Sequence, residues 1–566
     1  MASETKNRWI ALAIVLIGFF MILIDTTVVN VSIPTVIKDL HTNLSDVEWI
    51  ISGYSLSFAA LLITFGRLGD LYGRKLLFQL GLVVFTVASF FSGEASSAST
   101  LIIARLFQGV GGAMLSPATL SIISSTFRGK ERAAAFGAFG ATSGIAVAVG
   151  PILGGWLTTA YSWRWVFRIN IPIGILAIIL AALFVPQTKD EHGEKVDFPG
   201  MITSSLAFFF LVFGLIEGQL YGWWKPTQDF VVGSFTWSAD KPISIIAISF
   251  IIGAILLLGF ILIQAYKTKT NNSPAVNFKF FQHGTFRYGL IAIAIIALGE
   301  FSSLFTLPIF LQSIKGFTPL QSGYATLPLA VAALFAAPTS AILVNRLGSK
   351  WIITFGISLE ALGLFLISRL NADTEYKSLI LGLVLLGAGI GFAVSQNVQV
   401  ILSEINPRES GSASGTLNTV RQVGTALGVA IIGAILSHQA ATRIPDQIRA
   451  ADLSALPDSV KAQIVEAASS SSSNFTTGSE SGSTSQFTPT PPASVAASPV
   501  LKAQFDAKVK QTQDNLQRAI NVGLAESISH AITIGSLFMV AGALLSLLIP
   551  NVKAQHKNEE IVAGAH

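Results

Sequence analysis

Five ionisable residues lie well inside long apolar runs of the sequence: Asp25, Arg105, Glu300, Glu360 and Arg421. A charged residue at the centre of a membrane-spanning helix costs about 2.5–3.5 kcal/mol on insertion scales, so such residues mark functional positions by default. A carboxyl group can take up and release a proton, and a nearby arginine favours its ionised form. These residue types therefore predict proton exchange within a membrane.

Asp25 and Glu300 are the candidates for exchanging a proton against a substrate. Asp25 lies about midway along the first apolar run, and Glu300 follows it by 275 residues, at nearly the corresponding position of a repeated half. Arg105 is expected to face the bundle interior and to find a partner there, and a purely structural pair with Asp25 is the alternative to a functional Asp25. An ionised carboxylate would bind a cationic substrate, and its protonation would release that substrate.

Three further polar residues are assigned other roles. Glu360 is expected to make a hydrogen bond between helices. Arg421 is expected to be structural or to act in gating, and Asn418, which lies in the same run GSASGTLNTVRQVG, is a further candidate site residue.

The composition of the whole chain indicates a membrane protein with many spans. The chain has 566 residues, of which 51% are hydrophobic and 12% charged, whereas soluble domains are usually about 25% charged. A spanning helix needs roughly 20 predominantly apolar residues. Fourteen such runs are present, at about 10–33, 48–66, 76–94, 100–127, 134–160, 167–186, 200–217, 243–265, 288–312, 324–344, 351–370, 378–402, 412–436 and 529–550. The predicted fold class is an all-α membrane protein with 14 transmembrane helices.

The positions of lysine and arginine predict the orientation of these spans. If the N-terminus is cytoplasmic, the cytoplasmic segments hold 19 basic residues and the short outer loops hold 8. Short cationic loops resist translocation, so this bias predicts that both termini are cytoplasmic in a plasma membrane. One long loop, 437–528, then lies outside. Its middle is rich in Ser, Thr and Pro and is predicted to be disordered, while its flanks are predicted to be helical.

An internal repeat divides the chain. Gly66, Asp70 and Gly73 match Ala341, Asn345 and Gly348 at an offset of 275 residues. The repeat predicts a six-helix half at 1–187, two inserted helices at 188–270 and a second six-helix half at 271–566, which contains the outer loop. Related halves with a site between them are typical of secondary transporters.

Two motifs contain closely spaced small residues. The loop between the second and third runs reads GRLGDLYGRK, with Gly66, Asp70, Gly73, Arg74 and Lys75. Its glycines permit a sharp turn, and its charged residues can pair or meet helix ends. The fifth run contains GPILGG, in which the small residues predict close helix packing and the proline predicts a kink. The residues of this second motif are Gly150, Pro151, Gly154 and Gly155.

These motifs resemble those of the major facilitator superfamily. The loop motif is similar to that family's signature between helices 2 and 3, although Leu71 stands where the family often has a basic residue. In the family this loop acts as a cytoplasmic latch, and the arginine corresponding to Arg105 is linked to proton coupling. The GPILGG run resembles the antiporter signature, which implies export. Together with the fourteen runs, the sequence resembles the drug:proton antiporters of the EmrB/QacA type.

The resulting expectation is a proton-coupled antiporter that exports drugs or other lipophilic compounds by alternating access. The charges inside the runs sum to −1, which favours cationic substrates. A dedicated exporter of one metabolite, lipid or antibiotic is the main alternative, followed by an uptake symporter and a receptor derived from a transporter. Its partners are expected to be a hydrophobic small molecule, protons and the lipid bilayer; a partner protein is possible but not indicated.

Several classes of protein are disfavoured by the sequence. The chain contains no cysteine, so disulfides, thiolate nucleophiles and cysteine metal sites are excluded. Its seven histidines are scattered, and no GxxxxGK[ST] motif occurs, so a metalloenzyme and direct use of ATP are not expected. Basic residues flank the apolar runs instead of forming a stripe, which argues against nucleic-acid binding. No enzymatic activity, metal or cofactor is expected, and a proton gradient supplies the energy.

Overall fold

The computed structural model describes residues 2–40, 42, 44–187, 196–232, 234–270, 272–453, 461, 464–465 and 499–552. Long helices dominate this part of the chain because a lipid-embedded backbone must satisfy its hydrogen bonds internally. The α-helices are α1 (Ala2–Leu40), α2 (Leu44–Tyr72), α3 (Arg74–Gly93), α4 (Ala98–Thr126), α5 (Gly129–Ala160), α6 (Trp165–Arg168), α7 (Asn170–Phe184), α8 (Phe198–Tyr221), α9 (Ile245–Lys269), α10 (Gly284–Ile309), α11 (Pro319–Ala325), α12 (Leu327–Leu347), α13 (Ser349–Ile367), α14 (Tyr376–Ile401), α15 (Ser410–Ala450) and α16 (Pro499–Ser546).

Fourteen segments of the described chain are long and apolar enough to cross a membrane, which confirms the predicted number. The sixth combines α6 with α7, and the tenth combines α11 with α12. A π-helical turn, Phe310–Ile314, continues α10, and short 3-10 helices occupy Phe278–Gln282 and Pro407–Glu409. A two-stranded antiparallel hairpin, which the sequence did not suggest, connects α8 to α9. Its strands are β1 (Phe230–Val232) and β2 (Phe235–Trp237).

Helix packing repeats between the two halves of the chain. In the first half α1 packs on α5, while α4 packs on α2 and α3; in the second half α10 packs on α15, while α14 packs on α12 and α13. The same glycine geometry recurs at the turn that follows the second helix of each half. Gly73 has a φ of 113° and Gly348 a φ of 85°, a region that favours glycine. The two halves meet where α5 packs on α12 and where α2 packs on α15.

Helices α8 and α9 pack on each other at the side of the bundle, where α8 contacts α2 and α15. Glu217 of α8 is buried there and accepts a hydrogen bond from the Ser52 hydroxyl of α2 at 3.0 Å. Large apolar side chains are exposed along one face of α9, including Ile251, Ile255 and Leu258. Such a face fits contact with lipid tails.

The flanks of the predicted outer loop are helical, as the sequence indicated. Helix α15 has 41 residues and α16 has 48, so α15 alone is about 60 Å long, roughly twice the apolar thickness of a bilayer. The two helices pack together through buried residues such as Ile444 and Leu524, and Arg443 pairs with Glu526 at 2.8 Å. The predicted disordered tip, about 468–500, lies outside the described residues except for its last two positions, which begin α16.

Asp197 joins three segments at the end of the bundle that carries the loop between α2 and α3. Its buried carboxylate accepts hydrogen bonds from Lys267 Nζ at 2.7 Å and Gln264 Nε2 at 2.8 Å, both in α9. It also accepts the backbone N–H groups of Gly200 at 2.9 Å and Ala275 at 3.0 Å. Burial on its own would raise the pKa of Asp197, but these four hydrogen bonds outweigh it and hold the pKa below its usual value.

We expect Asp197→Asn to lower the thermal stability of the purified protein at neutral pH. The amide group of asparagine carries no negative charge, and its own N–H groups would point at other donors. The loss should lower the free energy of unfolding by about 1–3 kcal/mol. Because the folded-state pKa is depressed, the stabilisation by Asp197 is present above the unfolded-state pKa and is lost as the pH falls through the folded-state value. Melting curves should therefore differ between wild type and variant at pH 7 and converge in acid.

Asp240→Asn is the matched control, because Asp240 is exposed in the loop between β2 and α9. Its melting temperature should equal that of the wild type. Equal stability of Asp197→Asn and wild type at pH 7 would contradict the role given to Asp197.

Candidate functional site

Asp25 and Arg105 form a buried ion pair in the first half of the bundle. Each residue is 1% exposed, and Arg105 Nη1 donates to Asp25 Oδ2. The guanidinium also donates to the Ile50 carbonyl at 3.2 Å and to Gln108 Oε1 at 2.8 Å. Its Cζ lies 4.4 Å from the centre of the Tyr54 ring, within the range of a cation–π contact. The structure thus brings together the two residues that the sequence suggested as partners.

The second oxygen of Asp25 is held by two amide side chains. Gln108 Nε2 donates to Asp25 Oδ1 at 2.7 Å, and Asn170 Nδ2 donates to the same oxygen at 3.2 Å. Each amide also donates to Ser89 Oγ, at 2.7 and 3.2 Å. We call Asp25, Ser89, Arg105, Gln108 and Asn170 the Asp25 cluster. Its donors come from α4 and α7 and suit an ionised carboxylate, because both carboxylate oxygens accept hydrogen bonds.

Two polar atoms next to the Asp25 cluster are buried and have no hydrogen-bond partner within the described residues. They are the Tyr54 hydroxyl and Asn170 Oδ1. Unpaired buried polar atoms are rare in proteins and call for a water, an ion or a ligand group. The cluster therefore retains capacity for hydrogen bonds to a bound molecule.

Sequence reasoning missed Ser89, Asn170 and Tyr54 as members of this site. Asn170 is a polar residue in the apolar run INIPIG, and that isolated polarity was the available signal. Ser89 and Tyr54 gave no comparable signal, since serine and tyrosine are common in spanning helices.

Glu300 does not belong to the Asp25 cluster. It lies on α10 and is 8% exposed; its Oε1 is buried and has no hydrogen-bond partner within the described residues. Arg421, half-buried on α15, and Glu360 on α13 are the charged residues that interact with Glu300 electrostatically. The expected hydrogen bond between Glu360 and another helix is not made, because both carboxyl oxygens of Glu360 lack a partner within the described residues. Asn418, also on α15, donates to the Ser414 carbonyl at 2.9 Å within its own helix.

Asp70 connects the two halves at the end of the bundle formed by the loop between α2 and α3. Its carboxylate accepts from Arg74 Nη2 at 2.8 Å and from the backbone N–H groups of Gly411 at 2.8 Å and Ser412 at 2.7 Å. The latter two belong to the N-terminus of α15, where unpaired N–H groups and the helix dipole favour a negative charge. Arg74 also donates to the Arg408 carbonyl at 3.0 Å.

The remaining residues of this motif shape the same contact, which we call the latch. Gly66 lies against the Gly411 backbone so closely that a Cβ atom on Gly66 would be 2.5 Å from the Gly411 oxygen. Lys75 donates to the Ala182 carbonyl at 2.8 Å. The motif therefore makes the turn and also joins α2 to α15.

The GPILGG motif packs α5 against both halves. Gly150 faces the Thr27 side chain of α1, and Gly154 faces Val28. Gly155 faces Leu320 of α11, which belongs to the second half. Pro151 contributes to the same contact, since its backbone lies within 3.3 Å of where a Cβ atom on Gly323 would be.

Comparison with known proteins identifies relatives of this chain. The sequence profile of the Major Facilitator Superfamily matches residues 15–429. A probable actinorhodin transporter of Streptomyces coelicolor is 33% identical, over 78% of this chain and 75% of that protein. The tetracenomycin C resistance and export protein of Streptomyces glaucescens is 31% identical, over 82% of this chain and 83% of that protein. The crystal structure of the human organic anion transporter MFSD10 shares the fold, with a TM-score of 0.53, 13% identity and coverage of 76% of this chain and 93% of that one.

We expect Gly66→Ala to weaken the latch, because the added methyl group must push α2 away from α15. The native chain lacks cysteine, so a pair of cysteines can report on this contact. The hydroxyl oxygens of Ser121 and Ser410 lie 2.8 Å apart across the two halves, and Ser121→Cys with Ser410→Cys should form a disulfide under mild oxidation. Adding Gly66→Ala should slow disulfide formation.

Gly69→Ala is the matched control on the same helix. Its added Cβ atom would meet only the flexible end of Leu77, at 3.2 Å, so the rate of disulfide formation should not change. If Gly66→Ala does not change the rate of disulfide formation, the close contact of Gly66 with Gly411 does not control closure of the latch.

Proposed function

The chain belongs to the Major Facilitator Superfamily and is a multi-pass membrane transporter of small molecules, and on that premise we propose that it is a proton-driven exporter of lipophilic cations. The Asp25 cluster is the observation that carries the proposal. It holds an ionisable carboxyl group, on a helix apolar enough to span a membrane, next to a permanent positive charge and to two polar atoms without a hydrogen-bond partner within the described residues.

The charge of the Asp25 cluster explains how a proton and a cation would exclude one another. With Asp25 ionised, its charge and that of Arg105 cancel, and a cationic group can approach the Tyr54 ring and the unpaired Asn170 carbonyl oxygen. Protonation of Asp25 breaks the ion pair and leaves the cluster with a net charge of +1. A cation bound nearby is then repelled, because charge repulsion is strong where water is excluded.

The contacts between the halves support alternating access. The latch joins α2 to α15 at one end, and α5 packs on α11 and α12. In the proposed cycle the latch end faces the cytoplasm with both termini, in line with its lysines and arginines. Opening of the latch would expose the site to the cytoplasm. The energy would come from the proton gradient across the plasma membrane, without a cofactor.

The relatives support the direction of transport. One is named as a transporter of actinorhodin and the other for resistance to tetracenomycin C and its export. Since each name refers to a single compound, a dedicated exporter of one compound on the same scaffold is the second candidate function.

We expect Asp25→Asn to abolish proton-driven transport. The substitution removes the titratable group and leaves the positive charge of Arg105 uncompensated, which disfavours both proton exchange and binding of a cation. The measurement is uptake of ethidium, a quaternary ammonium dye and a neutral hydrophobic dye into inverted membrane vesicles energised by a pH gradient. Wild-type vesicles should take up the two cations and lose this uptake when a protonophore is added.

Asp39→Asn is the matched control on the same helix, because Asp39 pairs with Arg164 and lies 45% exposed near the end of α1. This variant should keep the uptake. Uptake by Asp25→Asn at the wild-type rate would refute the role of Asp25. If correctly inserted wild-type protein transports none of the dyes, the dedicated exporter becomes the favoured function, and a metabolite screen replaces the dye panel.

A further inference from the structure

Glu360 is fully buried in apolar surroundings without a hydrogen bond. Its side chain is 0% exposed, and neither carboxyl oxygen has a partner within the described residues. Gly389 of α14 packs directly on it, since a Cβ atom on Gly389 would lie 2.4 Å from Glu360 Cγ. Ile357 and Ala361, its neighbours on α13, belong to the apolar core of the second half. An ionised carboxylate is prohibitively costly in such a place, so Glu360 holds a proton in this conformation.

Among the described residues, few charged groups act on Glu360 and Glu300. Glu300 on α10 interacts with Glu360 on α13 and with Arg421 on α15. On α14 the charged residue Lys377 lies about three helical turns from Gly389. On α16, His530 lies about two and a half turns from Met539, which packs on the helix of Glu300. Arg421 therefore acts on Glu300, and Glu300 in turn acts on Glu360.

Two carboxyl groups that interact, one of which also interacts with an arginine, titrate as a pair. One can ionise opposite Arg421, while ionisation of the second places two like charges in an apolar interior. Glu300 is 8% exposed and Glu360 is 0% exposed, so Glu300 is the member of the pair nearer to solvent.

We propose that Glu360 is a second proton-binding residue, which exchanges its proton through Glu300, so that the transport cycle moves one proton more than Asp25 carries. In this step a conformational change admits water beside Glu360, the O–H bond of Glu360 breaks, and the proton passes through that water to the ionised carboxylate of Glu300, where a new O–H bond forms. Glu300 then releases that proton to water in the transport pathway. The proposal rests on the proton-driven export described above.

The second proton changes what drives transport. Exchange of one monovalent cation for the proton of Asp25 moves no net charge across the membrane. With the proton of the Glu300–Glu360 pair added, each cycle moves one net positive charge inward. The membrane potential then contributes to export beside the pH gradient.

Infrared spectroscopy tests the protonation of Glu360 without a transported substrate. The purified full-length protein is titrated from neutral to alkaline pH, and the C=O stretch of protonated carboxylic acids is followed. Wild type should show a band at neutral pH that disappears on titration, and Glu360→Gln should lack it. Glu360→Asp should shift the band instead of removing it, and so separates loss of the carboxyl group from misfolding. A neutral-pH spectrum that is identical in wild type and in folded Glu360→Gln overturns the proposal.

Proteoliposomes with an imposed membrane potential test the contribution to transport. Ethidium transport by wild type should respond to the potential at zero pH gradient, and Glu360→Gln should lose this response while still responding to a pH gradient. Glu217→Gln is the matched control, a buried glutamate whose carboxylate accepts a hydrogen bond from Ser52, and it should behave as wild type. An unchanged response to the potential in Glu360→Gln overturns this proposal alone, whereas a wild type indifferent to every pH gradient overturns the proton-driven function itself.

Discussion

The structure depends on one constraint, the cost of a charge inside an apolar medium. A charge in a spanning helix needs a partner of opposite sign and donors for its remaining lone pairs, and otherwise it is neutralised. Asp25 shows the first solution, since Arg105, Gln108 and Asn170 satisfy both of its oxygens. To supply those partners, α1, α4 and α7 must meet at a single point. The packing of the first half follows from that requirement.

The second half solves the same problem differently. Glu300 nearly corresponds to Asp25 in the repeat, yet the charged groups that interact with it are another carboxyl group and the half-buried Arg421. Where the Asp25 cluster has several donors for one carboxylate, the surroundings of Glu360 have none within the described residues. A carboxyl group rich in donors favours its ionised form, and one without donors favours its protonated form. The two related halves therefore give their buried carboxyl groups opposite surroundings.

Sequence reasoning could predict features that depend on local composition and spacing. The fourteen spans follow from apolar runs, and the pairing of Asp25 with Arg105 follows because two opposite charges in one membrane must meet. It could not predict the contributions of Ser89 and Asn170, because these depend on the rotation of separate helices about their axes. Nor could it predict that Glu360 makes no hydrogen bond within the described residues, since a sequence shows which donors exist but not which ones reach a given atom.

Helix α15 links regions of the molecule that function would use together. Its first residues donate to Asp70 in the latch, Arg421, which interacts with Glu300, follows about three turns later, and Arg443 lies on the part that extends past the membrane. A continuous helix transmits rotation along its length. Tilting it by a few degrees about the latch would displace its far end by about 5 Å, given a lever of roughly 50 Å. A small movement at one membrane surface would then produce a larger movement of the projecting ends of α15 and α16, which lie beyond the opposite membrane surface.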